Sequence, residues 1–129
     1  MVKNLPPETN AVAGSVLDAS FAVHRTLGPG LLESVYEFCL VHELNKRQIA
    51  VARQVSLPIV YDGIRLGSAL RMDLVVGGRV IVELKAIEAL APIHTAQMLT
   101  YLKLSGLRLG LLINFNVPLL HKGIKRVAR

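Results

Sequence analysis

Between residues 70 and 85 the sequence alternates. Even-numbered positions are Leu70, Met72, Leu74, Val76, Val80, Val82 and Leu84, all apolar, while odd-numbered positions include Arg71, Asp73, Glu83 and Lys85. Side chains alternate faces along a strand, so the pattern describes two strands, each with one apolar face. The polar groups share the other face only if the turn around Gly77-Gly78 has an odd number of residues; an even turn puts Asp73 and Glu83 on opposite faces. The odd register is expected, for instance a loop with glycine at a left-handed bulge position, and it brings Asp73 beside Glu83 and Lys85. Two carboxylates and an amine on a rigid hairpin suit phosphoryl chemistry. Mg²⁺ (or Mn²⁺) takes one or two protein carboxylates and keeps several waters, and once bound it polarises a phosphoryl oxygen and lowers the pKa of a water. Lys85 then orients that water or neutralises charge developing on phosphorus. The same spacing also suits an Asp–Lys or Glu–Lys cross-strand pair on a solvated face, worth about 0.2–1 kcal/mol. The residues alone leave both readings open.

The elements that must carry this hairpin are legible on either side of it. Val12, Val16, Ala19 and Val23 recur at helical spacing and predict a helix from Glu8 to about Leu27, broken by Gly28-Pro29-Gly30. A second helix is expected from Leu31 to about Arg47, with Leu32, Val35, Cys39 and Leu40 on its apolar face and a basic end that suits the helix dipole. Val55 to Tyr61 reads as a strand, Asp62-Gly63 as a turn, and Leu66–Val76 and Val80–Ile87 as two more strands. Pro92 suits a first helical turn, Ile93–Leu104 the helix itself, and Gly106 its C-cap. The run from Arg108 to Phe115 suits a strand buried on both faces, followed by a short basic tail beyond Pro118. The order α-α-β-β-β-α-β predicts a mixed α/β fold, and a helix between the third and fourth strands permits a parallel crossover.

Composition narrows the function classes. The chain has 129 residues, 52% of them hydrophobic and 19% charged, which fits a single domain of residues 1–129 with its own core and excludes disorder. No apolar run is long enough for a membrane helix, and residues 1–10 hold no signal-like apolar stretch. The single cysteine, Cys39, cannot form an internal bridge and reads as a small core residue, so a cytoplasmic location is expected. All nine acids lie between Glu8 and Glu88, and residues 1–88 balance at zero net charge. The excess of +6 therefore sits in the acid-free stretch after residue 88. It includes Lys122, Lys125 and Arg126, which suit an anionic backbone such as that of DNA or RNA. No Walker-type loop or Cys-x-x-Cys pair is present, so nucleotide hydrolysis and zinc fingers have no support. A chain so short and apolar also suits a homodimer.

Together these segments resemble the PD-(D/E)XK nuclease superfamily, and within it the GxxExxY family. The resemblance rests on VHRTLGPG (Val23 to Gly30), GLLESVY (Gly30 to Tyr36), Gln54, RMDLVV (Arg71 to Val76), VELKA (Val82 to Ala86), AQMLTYLK (Ala96 to Lys103) and GLLINF (Gly110 to Phe115). Their order and spacing span about residues 8 to 127. The resemblance implies an αβββαβ core with a central mixed sheet flanked by helices. It implies that Asp73, Glu83 and the Leu84 carbonyl hold the metal and that Lys85 is the catalytic lysine. Glu33 corresponds to an acidic residue on the helix before the sheet, and Gln97 with Tyr101 to a QxxxY-like pattern. Met72 stands where the superfamily's name has proline. The implied activity is divalent-metal-dependent cleavage of nucleic acid; the alternative is a non-catalytic nucleic-acid-binding or protein-interaction module on the same fold.

Glu33 and Tyr36 share a helix face, which is expected to bring Glu33 to the hairpin's polar side with Tyr36 in support. Glu33 also lies in a first turn, where a carboxylate is favoured by the dipole alone. His94, Gln97 and Tyr101 form a polar stripe that suits either a phosphate path or a solvated face. His24, just before the Gly-Pro-Gly break, is expected to cap helix carbonyls, and His42 and His121 carry no assignment.

Overall fold

A computed structural model describes residues 4–129, the side chains of Ser68 and Ala69 excepted. Helices α1 (Pro7–Leu27) and α2 (Glu33–Lys46) precede strands β1 (Val51–Tyr61), β2 (Ile64–Val76) and β3 (Val80–Lys85). Helix α3 (Pro92–Ser105) leads into β4 (Leu109–Asn114), then a 3₁₀ turn at Leu120–Gly123 and β5 (Ile124–Ala128). The five strands lie in the order β1-β2-β3-β4-β5; β3 and β4 are parallel and the remaining neighbours antiparallel. This is the expected α/β fold with a mixed sheet. No helix of the described residues is long and apolar enough to cross a membrane.

β2 starts at Ile64 rather than Leu66 and β3 ends at Lys85 rather than Ile87, and two larger departures from expectation lie at the C-terminus and in β1. The basic stretch beyond Pro118 is not a tail: it supplies the 3₁₀ turn and β5, because Val127 fits the hydrophobic layer under α3 while Lys125 and Arg126 stay exposed. Strand β1 starts at Val51 rather than Val55, and Gln54 within it adopts a left-handed backbone with φ 49°. A non-glycine residue in that region is uncommon, and it hides the period of two that marks a strand.

The turn between β2 and β3 has the odd count. Leu74 pairs with Val82, Val75 with Ile81 and Val76 with Val80, leaving a three-residue loop, Gly77–Arg79. Gly77 and Gly78 both have positive φ, 60° and 65°. At Gly77 a side chain would also press on Val12 of α1, so glycine is required twice over.

Both faces of the sheet are covered. Leu74, Val76, Val80, Val82 and Leu84 pack with β4 against α1 and α2, where Val16, Ala19 and Leu40 are fully buried. Ile81, Leu112 and Val127 pack on the other side against Met98, Tyr101 and Leu102 of α3. The expectation that all even positions share one dry face therefore fails at Met72 and Leu70, which join the α3 side. The change falls at Asp73, opposite the left-handed Gln54. Gly110 on β4 lies so close to Met98 that any side chain there would collide with it.

The apolar face of α2 also differs from expectation. Its buried stripe is Tyr36, Leu40 and Leu44, whereas Leu32 is 75% exposed, Val35 is exposed at the rim, and Cys39 is half-buried. Tyr36 can be buried because its hydroxyl is satisfied: it donates to the Gly28 carbonyl at 2.6 Å and accepts from Leu31 N–H at 3.2 Å. Its ring stacks on Phe115 with centroids 4.6 Å apart. Gly30 N–H in turn donates to Asn116 Oδ1 at 3.1 Å. The break between α1 and α2 is thus tied to the end of β4, and α2 starts at Glu33 from a fixed point. His24 takes part in the same tie, with Nε2 2.8 Å from the Val117 carbonyl, rather than capping its own helix. Removing the hydroxyl with Tyr36→Phe leaves two backbone groups unpaired. Urea denaturation should show a loss of about 1–2 kcal/mol.

Candidate functional site

The hairpin's backbone ladder ends at the Leu74–Val82 pair, and side chains take over beyond it. Asp73 N–H donates to Glu83 Oε2 at 2.6 Å, and Leu84 N–H donates to Asp73 Oδ2 at 2.9 Å. Each carboxylate therefore holds the backbone of the opposite strand. The arrangement fixes both acids side by side where β2 and β3 part, which is what the odd register requires. On its other side β3 is held in the ladder to β4, with Glu83 beside Leu112 and Lys85 beside Asn114.

Glu83 is only 4% exposed. Burial, reinforced by the charge of Asp73, pushes its carboxyl up to about 8, although Asp73 N–H and Lys85 pull the other way. Burial raises Asp73 as well, with Glu37 adding to the rise, while the Leu84 N–H bond and Lys85 lower it. A buried and a half-buried acid in contact resist carrying two negative charges. Lys85 is the nearby cation that favours the charged forms. Among the described residues, no three His, Cys, Asp or Glu side chains converge as a metal cage.

Helix α2 packs on the apolar side of the hairpin, not on its polar side as expected, and from there it brings a second acidic pair to the end of the sheet. Glu33 is exposed, yet partial desolvation raises it, as does the charge of Asp73, while Lys85 lowers it, which places Glu33 within electrostatic reach of the hairpin acids. One turn further on, Glu37 is buried, and sequence reasoning does not single it out. Its Oε2 accepts from Arg53 Nη2 at 2.8 Å and its Oε1 from Gln54 Nε2 at 2.8 Å. Glu37 thus clamps the left-handed segment of β1 that faces Asp73. The i, i+4 spacing of Glu33 and Glu37 is the available signal, since it puts both on one helix face.

Helix α3 closes the opposite side. Tyr101 is nearly buried, and burial together with the charges of Glu83 and Asp73 raises its phenol, opposed by a hydrogen bond with Gln97. Gln97 and Lys85 line one open groove together with Tyr101. Asn114, which sequence reasoning also misses, is buried and sets the path of the chain after Lys85: its Oδ1 accepts from Ile87 N–H at 3.1 Å and its Nδ2 donates to the Ile87 carbonyl at 2.9 Å. Only its place at the end of an apolar strand hints at this.

Asp73, Glu83, Leu84, Lys85, Glu33, Gln97 and Tyr101 are therefore brought to one end of the sheet, and Tyr36 lies beneath as an anchor. The three C-terminal cations are not gathered into one patch. Lys125 lies beside Pro92, Ala96 and Leu99 on the α3 side, Arg126 donates to Asn10 Oδ1 of α1 at 2.7 Å on the other, and Lys122 sits in the 3₁₀ turn. Alternation along β5 sends Lys125 and Arg126 to opposite faces.

The family model of the PD-(D/E)XK nuclease superfamily matches residues 10–127. With nearly the whole chain matched, the protein belongs to that superfamily. Comparison with the curated proteins and with the solved structures gives no match for the chain.

Proposed function

We propose that this domain is a divalent-cation-dependent phosphodiesterase acting on nucleic acid, of the GxxExxY type. The observation that carries the reading is the pair of bonds, Asp73 N–H to the Glu83 carboxylate and Leu84 N–H to the Asp73 carboxylate, that sets the two acids side by side at the parted end of β2 and β3, beside Lys85. The donor set fits a hard cation: two carboxylates and the Leu84 carbonyl, all oxygen, with room left for water as Mg²⁺ or Mn²⁺ prefers. Such an ion, when bound, supplies Lewis-acid polarisation of a phosphoryl oxygen and a more acidic water.

The chain's own residues do the rest. Lys85 places a positive charge where negative charge grows on phosphorus. Glu33, exposed at the start of α2 and within electrostatic reach of Asp73 and Lys85, adds a further carboxylate at the edge of the site. Gln97 and Tyr101 supply neutral hydrogen-bonding groups along the α3 wall, where substrate oxygens pass. Glu37 touches no substrate in this reading; it positions Asp73 through Arg53 and Gln54. Lys122, Lys125 and Arg126 add sequence-independent contacts to phosphates.

One observation favours the alternative of a binding module that does not cut. Both hairpin carboxylates already accept backbone N–H bonds and so hold the strands together without any ion. The deciding experiment is an assay of purified protein on single- and double-stranded DNA and RNA with EDTA, Mg²⁺ or Mn²⁺. Cleavage that appears only with the divalent ion supports the phosphodiesterase. Binding without cleavage under all conditions overturns it in favour of the module. The C-terminal cations have their own test. Neutralising Lys122, Lys125 and Arg126 together should flatten the slope of log K against log salt by about 0.9 for each duplex phosphate they neutralise, or about 2.7 if all three engage. Because Lys125 and Arg126 face opposite ways, a change of about 2 or less is expected on one bound strand of nucleic acid.

A further inference from the structure

The groove beside Lys85 has a chemistry that a phosphate backbone does not explain. Its volume is about 560 Å³, and its walls include Leu70 from β2 and Ile93, Gln97, Thr100 and Tyr101 from α3, with Lys85 on the side shared with the acidic pair. That volume falls within the rough 300–1,000 Å³ of small-ligand sites. Ile93 is 69% exposed on a surface where a purely solvated helix would carry a polar residue. Lys85 is the only charged residue lining the groove among the described residues, and α3 has no acid in its first turn. His94 lies on the wall as well, its ring held because Nδ1 accepts from Ala91 N–H at 2.8 Å.

A surface that tracks phosphates needs repeated cations. Here one cation is followed by two apolar side chains and a row of neutral hydrogen-bonding groups. That sequence of chemistries matches one nucleotide, with its phosphate at Lys85, its flat base between Leu70 and Ile93, and its edge at Gln97 and Thr100. A base can present its flat faces only when it is out of a duplex stack, since paired bases expose edges alone. Building on the nucleic-acid reading above, we propose that the groove between β2 and α3 receives an unpaired nucleobase, so that the domain acts on single-stranded or locally opened nucleic acid. Continuity with the acidic pair sets the register: the phosphate next to the inserted base is the one presented to Asp73 and Glu83.

The test uses the full chain in EDTA, so that nothing is cut, and follows fluorescence anisotropy of labelled oligonucleotides. The probes are a single strand of about twelve nucleotides, within the usual range of single-strand site sizes, the same strand with its central bases replaced by abasic sites, and a blunt duplex of that sequence. The intact strand should bind at least tenfold more tightly than the abasic strand and more tightly than the duplex. Ile93→Ala, at an exposed position where folding is not at stake, should remove most of the intact strand's advantage and leave abasic binding unchanged. Equal affinity for intact and abasic strands overturns the proposal, as does an Ile93→Ala variant that weakens both equally. The outcome separates from that of the cleavage assay. Base-dependent binding without Mg²⁺-dependent cutting keeps this groove and removes the phosphodiesterase, whereas cutting without base dependence does the reverse. A protein that binds none of the probes overturns the groove as well.

Discussion

Replacing Lys85 by alanine should lower Mg²⁺-dependent cleavage by about 10²–10³-fold, the usual effect of removing one preorganised group that stabilises transition-state charge. Affinity for the substrate should change only a few-fold, because one cation contributes little to a distributed set of contacts. The reason lies in where Lys85 sits. It follows Glu83 by two residues on a strand held to β4, so the base of its side chain is fixed by the ladder rather than carried on a flexible loop. Single-turnover cleavage and anisotropy on the same variant separate the two quantities. A loss of affinity equal to the loss of rate would mean that Lys85 is a binding residue alone, and the catalytic role assigned to it would be withdrawn.

The second large effect concerns stability and has the opposite direction. Glu83→Gln should make the metal-free protein more stable above neutral pH. Burial and the charge of Asp73 raise the Glu83 carboxyl from 4.5 to about 8, so between these values the folded chain binds a proton that the unfolded chain does not. The stability this group contributes is fully present below about 4.5 and is lost as pH rises through about 8. Glutamine stays neutral throughout and keeps an oxygen for Asp73 N–H. The thermal midpoints of wild type and variant should therefore lie close together near pH 4.5 and diverge by several degrees near pH 8.5, with the variant higher. Mg²⁺ should raise the midpoint of the wild type at pH 8.5 and leave that of the variant almost unmoved, since a cation that binds only the folded site stabilises by mass action. A variant less stable than wild type at every pH would show that Glu83 acts chiefly as a strand clasp.

Much of this site is legible in the amino-acid sequence because strands and turns obey parity. The alternation from Leu70 to Lys85 leaves one question, the length of the turn; two successive glycines suit a two-residue turn as well as a three-residue loop, and only the latter, which the structure has, gathers the polar groups. What parity does not reach are contacts between elements distant in sequence. Glu37 matters through Arg53 and Gln54, and nothing local to α2 distinguishes it from a solvated acid. The apolar face of α2 is misread because Tyr36 looks amphipathic until Gly28 and Leu31 are seen to satisfy its hydroxyl. Strand β5 is hidden by its charges, which are tolerable only because an edge strand faces water on both sides of its rim. The Asp73 region combines both difficulties. The sequence shows the acid, while the change of face at Met72 depends on a left-handed glutamine across the ladder.

The long β1–β2 hairpin leaves the five-stranded sheet at Asp73. Pairs from Leu57–Leu70 to Tyr61–Ile64 have no third strand beside them, and Val60, Tyr61, Ile64 and Leu66 are exposed there. A two-stranded ribbon is only marginally stable by itself, so this arm belongs to the part of the molecule that opens at low free-energy cost, while β3 and β4 open only with the whole domain. Leu57, Leu70 and Met72 pin the base of the arm to α3, so the boundary between these two cooperative units falls just beyond one residue of the acidic pair. Glu83 belongs to the unit that opens last, and Asp73 stands at the edge of the unit that opens first, held to β3 by its own N–H bond to Glu83 and by the Leu84 N–H bond to its carboxylate. Local unfolding that spreads from the arm past this base would therefore dismantle half of the site while the fold persists, and anything that orders the base of the arm would at the same time secure the site.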